Sequence, residues 1–233
     1  MHYAHEGDLA FVVGHGFTNN VRRPHVARVL AMLAEHGGVV ALDFRGHGAS
    51  GGRSTVGGDE VHDVAAAVQI ARDLGYTRIV TVGFSMGASI VIRHAALMEP
   101  PDAVAAVSGP ARWWSRETKS MRRVHWLLEQ PHGRLAARAL GVRLGAPWVK
   151  PPESPLEVVH RITPTPLLIV HGEEDHYFAP AHATSLHRAT NGHAELWLEP
   201  GMRHAETAVT PELVDRMAAW LVANSLASKK EVT

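Results

Sequence analysis

The stretch that most constrains this chain runs from Arg78 to Met98. Ile79, Val80 and Val82 form a short β-branched run of the kind that makes a buried strand. Gly83, Ser85 and Gly87 then fit the pattern G-x-S-x-G, and Ile90, Val91, His94 and Ala95 follow at helical spacing. A serine on a sharp strand-to-helix turn has close backbone neighbours, so residues lacking a Cβ must flank it. Such a turn exposes the hydroxyl at the carboxyl end of a strand. It also aims a helix N-terminus, with its unpaired N–H groups, at whatever reacts there.

The rest of the chain repeats the same strand-then-helix rhythm. Leu9 to Val13 reads as a buried strand and ends in Gly14-His15-Gly16-Phe17. Pro24 opens a helix with Val26, Val29, Leu30 and Leu33 on one face, and Gly37-Gly38 stops it. Val39 to Leu42 is the next strand. A glycine-rich loop then leads to a helix starting near Asp59 and Glu60, with Val61, Val64, Ala65 and Val68 facing inward. Beyond the serine turn come strands at Ala103 to Val107, Pro166 to His171 and Ala194 to Leu198. Helices are expected around Ala181 to Ala189 and after Thr210-Pro211, the last presenting Leu213, Met217, Trp220 and Leu221. This alternation predicts an α/β fold: a mostly parallel sheet of about six strands with helices on both faces and function at the strands' carboxyl ends.

The rhythm fails only between residues 111 and 165, which hold Trp113-Trp114, two short helical stretches and several prolines. That segment is expected to be a small helical cap inserted into one domain spanning residues 1–233. It carries ten Lys/Arg against four Asp/Glu, so the chain's zero net charge hides a basic cap on an acidic body. Either the two parts attract and hold the cap shut, or Arg112, Arg116, Arg122 or Arg123 steers an anionic substrate. Trp113, Trp114 and Trp126 suggest an apolar acyl pocket or, as aromatics in an insertion more often do, make the segment's own core. A neutral total argues against nucleic acid as a partner, and no segment approaches the roughly 20 apolar residues of a membrane span. The chain has no cysteine and no visible signal peptide, so a cytoplasmic location is expected.

A serine hydroxyl is a poor nucleophile until a base takes its proton and a carboxylate fixes that base's tautomer. Ser85, then Asp175 in His171-Gly-Glu-Glu-Asp175, then His204 in Gly201-Met-Arg-His204 supply these types in that order. Together with His15-Gly16-Phe17, these motifs make the chain resemble α/β-hydrolases with a short cap, from Leu9 to about Leu221. The resemblance implies Ser85 as nucleophile, His204 as base and Asp175 as the orienting acid, with Glu173 and Glu174 as its competitors. It implies an oxyanion hole at the backbone N–H groups of Phe17 and Met86. Asp43, Arg45 and His47 resemble a turn that ties loops together, and His15 is expected to position the oxyanion loop. No cofactor or metal is expected: His-Glu-x-x-His is absent, and Gly14 and Gly16 lack the third glycine of a dinucleotide site.

The expected activity is hydrolysis of small-molecule carboxylic esters with short to medium acyl chains, through an acyl-enzyme on Ser85. Thioesterase, peptidase, other hydrolases of the same fold and a non-catalytic binding protein remain open alternatives. One departure from the family stands out. Its sheet begins with two strands before the one ending in the His-Gly loop, and only eight residues precede Leu9 here. Val39 to Leu42 would then be an uncharged apolar edge. Either residues 1–8 fold back over it, or a second subunit covers it, or the natural start lies further upstream. A homodimer or a truncated start is the expectation.

Overall fold

Alternation along the strands decides which residues face which layer. The computed structural model describes residues 1–230. Its elements in order are β1 (His2–Tyr3), β2 (Leu9–Gly14), α1 (Pro24–Leu33), β3 (Gly38–Leu42), α2 (Glu60–Asp73), β4 (Arg78–Phe84), α3 (Met86–Leu97) and β5 (Ala103–Val107). There follow α4 (Lys119–Glu129), α5 (Pro131–Ala139), α6 (Pro155–Val158), β6 (Leu167–Gly172), α7 (Ala181–Ala189), β7 (Glu195–Glu199) and α8 (Pro211–Lys230). The sheet runs β1-β3-β2-β4-β5-β6-β7, parallel throughout except for β1.

In β2, Leu9, Phe11 and Val13 point to one face and pack on Val29 and Leu33 of α1 and on Val214 and Met217 of α8. Ala10 and Val12 point to the other, against Val64 and Val68 of α2 and Ile90 of α3. A sheet buried on both sides explains why its strands read as continuous apolar runs rather than alternating ones. Ala65 in α2 is only half-buried; Ala67 and Ala71 complete that helix's inner face instead. No helix among the described residues is long and apolar enough to cross a membrane.

The strand β3 is not an open edge. His2 and Tyr3 pair antiparallel with Val40 and Val39, the Met1 amino group donates to the Ala41 carbonyl at 2.7 Å, and the Ala41 amide donates to Met1 at 2.8 Å. The sheet therefore has seven strands, and the argument for a dimer through β3 loses its premise. The far edge, β7, is guarded by acidic residues and by Arg216, whose guanidinium lies 4.6 Å from the Trp197 ring centroid.

Between β5 and β6, α4, α5 and α6 form the inserted segment. Direct ion pairing between it and the rest is slight: among the described residues, Glu117 with His182 at 3.6 Å is the pair that crosses. Arg116 and Arg161 pair with Glu129 and Glu153 inside the segment itself. Hydrogen bonds to backbone groups do the tying, from Arg53, Arg93 and Arg143 among others. Ser54 bridges Leu144, the Trp148 indole donates to the Thr55 carbonyl at 2.7 Å, and the Thr118 hydroxyl donates to the Tyr177 carbonyl at 2.9 Å.

Candidate active site

The turn after β4 is strained as its sequence demands. Ser85 sits at φ 52°, ψ −113°, a conformation costly for any residue with a Cβ. A Cβ on Gly83 would collide with the Gly87 carbonyl, and one on Gly87 would collide with the Gly14 carbonyl. The two glycines thus let β4, α3 and the loop after β2 close up around the serine.

Three loops at the carboxyl ends of β4, β6 and β7 bring Ser85, Asp175 and His204 together. His204 Nε2 lies 2.9 Å from Ser85 Oγ, and its Nδ1 lies 2.7 Å from Asp175 Oδ2. The second Asp175 oxygen accepts from the amides of Tyr177 at 2.7 Å and Phe178 at 3.2 Å. Burial of this carboxyl pushes its pKa up. The hydrogen bond and charge at His204 and the two amides outweigh that, and the pKa falls below the usual carboxylate value. The side chain stays ionised as an acceptor for the imidazole N–H. Glu173 and Glu174, by contrast, are exposed. The Tyr177 ring lies 4.3 Å from the His204 ring and shields this pair from one side.

The loop after β2 supplies backbone donors. Neither the Phe17 nor the Met86 amide has a hydrogen-bond acceptor among the described residues. His15 is fully buried; its Nδ1 lies 2.8 Å from the Gly16 carbonyl and its Nε2 accepts from the Phe44 amide at 3.2 Å. Burial, reinforced by neighbouring His47, lowers the His15 pKa to about 4, so the ring is neutral and Nδ1 carries the proton. The His47 Nε2 donates to the Phe17 carbonyl, and Asp43 accepts from the amides of Val21 and Ala49. Arg45 reaches Asp63 rather than Asp43.

These groups open on a cavity of about 650 Å³ that runs under the inserted segment. Ser85, Met86 and Phe17 line its floor, and Trp113, Trp148 and Leu144 line its roof. Trp148 packs on both Trp113 and Trp114 at 5.6 Å between ring centroids. Trp126 does not line the cavity; it sits on the outer face of α4, where the helix turns Met121 and His125 inward. Of the four arginines singled out in the sequence, Arg123 alone lines the cavity, and among the described residues it makes no ion pair. Arg116 pairs with Glu129, while Arg122 donates to backbone carbonyls.

Sequence reasoning missed Trp148, Tyr177 and Glu206. The last is a buried carboxylate two residues past His204, where only its nearness to a singled-out histidine gave a signal.

A sequence model of the alpha/beta hydrolase family matches residues 11–220. No curated protein matches the chain. Among solved structures, the esterase Pf2001 of Pyrococcus furiosus is similar at 25% identity with a TM-score of 0.73, over 94% of this chain and 83% of that one. Est1E of Butyrivibrio proteoclasticus, solved with ferulic acid bound, is similar at 21% identity and a TM-score of 0.64, over 94% and 89% of the two chains. XC6422 of Xanthomonas campestris, described as a serine hydrolase without a lid, is 18% identical with a TM-score of 0.60, over 95% and 82%. These last two bear on the fold alone.

Proposed function

We propose that this chain, which belongs to the alpha/beta hydrolase family, is a carboxylesterase that cleaves esters of short to medium acyl chains through an acyl-enzyme on Ser85. The observation that carries the reading is the hydrogen-bonded run from Ser85 through His204 to the buried Asp175, at 2.9 and 2.7 Å, beside the Phe17 and Met86 amides, which have no acceptor among the described residues.

In this reading His204 Nε2 takes the Ser85 proton as Oγ attacks the ester carbonyl. Asp175 keeps the other proton on Nδ1 and stabilises the imidazolium that forms. The oxyanion of the tetrahedral intermediate is held by the Phe17 and Met86 amides. His204 then returns its proton to the departing alkoxide, which leaves as the alcohol. Water, deprotonated by the same nitrogen, attacks the acyl-enzyme and releases the acid. An apolar cavity of about 650 Å³ falls in the usual range for small-molecule sites and suits an acyl chain against Leu144 and the tryptophans. The segment at 111–165 acts as the cap of a single hydrolase domain.

The test is a series of p-nitrophenyl esters from two to sixteen carbons, run on the wild type and on Ser85→Ala. Turnover should peak at short to medium chains and vanish in the variant with its melting temperature kept. Retention of more than a few per cent of the rate would overturn the reading.

A further inference from the structure

Glu206 is a buried carboxylate that the mechanism above does not use. It lies in the short 3-10 turn Ala205–Thr207, directly after His204, and is only 3% exposed. Its Oε1 accepts from the Gly16 amide at 2.6 Å and from Asn19 Nδ2 at 3.2 Å. Asn19 is itself held by His25, 2.8 Å away. Arg28 donates its guanidinium to the carbonyls of Glu206 and Val209. A buried carboxylate with no ion pair among the described residues is costly unless hydrogen bonds hold its oxygens, and here they tie it to the loop after β2.

The consequence lies one peptide away. The Gly16 carbonyl is fixed by the Asn19 amide at 3.0 Å and by His15 Nδ1 at 2.8 Å. In a trans peptide the C=O and the following N–H point in opposite directions, so the Phe17 N–H is turned away from those donors and has no acceptor among the described residues. The Gly16 N–H, on the other side of a residue without a side chain, has Glu206 as its anchor. Without that anchor Gly16 has rotational freedom that no other residue type would have at this point.

We propose that Glu206 is a positioning residue for the oxyanion loop: its carboxylate clamps the Gly16 amide so that the Phe17 amide stays aimed at Ser85. Because Glu206 shares a turn with His204, that turn sets the base and one oxyanion donor together. The proposal rests on the reading of Ser85 and Phe17 given above.

The experiment compares Glu206→Ala, Glu206→Gln and Glu206→Asp in kcat, KM and affinity for a trifluoromethyl ketone, which forms a tetrahedral oxyanion adduct on a serine. Losing the alignment of one oxyanion donor should lower kcat about 10- to 100-fold in Glu206→Ala, with KM within about two-fold. Ketone affinity should fall in parallel. Glu206→Gln keeps an oxygen acceptor at full reach and should recover kcat to within about five-fold of wild type. A merely structural role would lower the melting temperature and leave kcat and ketone affinity of the folded protein unchanged; that result overturns the proposal. If Glu206→Ala does not fold, the order of the other two decides. Glu206→Asp keeps the charge but is one methylene short, so it should be the poorer enzyme; equal or reversed order overturns the proposal. A wild type inert towards every ester would instead defeat the esterase reading itself.

Discussion

Replacing His94 by leucine should flatten the acid side of the stability profile by a calculable amount. His94 lies in α3, is 1% exposed, and has no partner for its Nδ1 among the described residues. Burial first, then the nearby Arg72, lowers its pKa from 6.5 to about 4, against a smaller opposing pull from Glu99. The native state therefore binds fewer protons than the unfolded chain between those values. The stability this neutral ring contributes is complete above pH 6.5 and is lost as the pH falls towards 4. Integrating over the interval, the wild type should lose about 2 kcal/mol between pH 7 and pH 5 on account of His94 alone. Most carboxylates are still ionised at pH 5, and the other buried histidines contribute equally to both proteins. Urea unfolding at the two pH values measures the difference directly. The wild type should lose about 2 kcal/mol more than His94→Leu. Equal losses in the two proteins would mean that His94 titrates normally, and the burial argument would fail.

Asp175→Asn should lower kcat by roughly 10³- to 10⁴-fold, since an amide stabilises the wrong imidazole tautomer. Glu173→Gln and Glu174→Gln, both exposed positions, should stay near wild type; a large loss in either would move the acid to that residue. The proposed oxyanion loop has a single glycine, Gly16, directly before Phe17 rather than a Gly-Gly-Gly run, so esters of tertiary alcohols should be poor substrates. Turnover of tert-butyl acetate at the ethyl acetate rate would contradict this. Arg123, which lines the cavity and has no ion pair among the described residues, should make kcat/KM for a carboxylate-bearing ester fall more steeply with salt than for a neutral analogue. That difference should disappear in Arg123→Gln, and its absence from the wild type would exclude steering by this residue.

What the sequence made legible was local or periodic. The β-branched run at Ile79 to Val82, the flanking glycines and the helix spacing that follows dictate the Ser85 turn, because each constraint acts within a few residues. Asp175 stood out from Glu173 and Glu174 by its place in a motif, and the structure buries it while exposing the other two. What stayed hidden depends on distant partners. His2 and Tyr3 form β1 through pairing with Val40 and Val39, and two residues carry no strand pattern of their own. The burial of Glu206 comes from a loop 190 positions away, so nothing near it distinguishes it from a solvated glutamate. Trp148 sits in a proline-rich run that reads as irregular, and it reaches the cavity because its indole is tied to Thr55, 93 residues earlier.

The account stands on Ser85 being an activated nucleophile, and the most direct measurement is intact-protein and peptide mass spectrometry after treatment with a fluorophosphonate. The folded wild type should gain one phosphonyl group, on the peptide containing Ser85. Urea-unfolded protein and Ser85→Ala should gain none, since the activation depends on His204 at 2.9 Å and not on the serine alone. A folded wild type that stays unlabelled, or one labelled at another residue, would contradict the central claim.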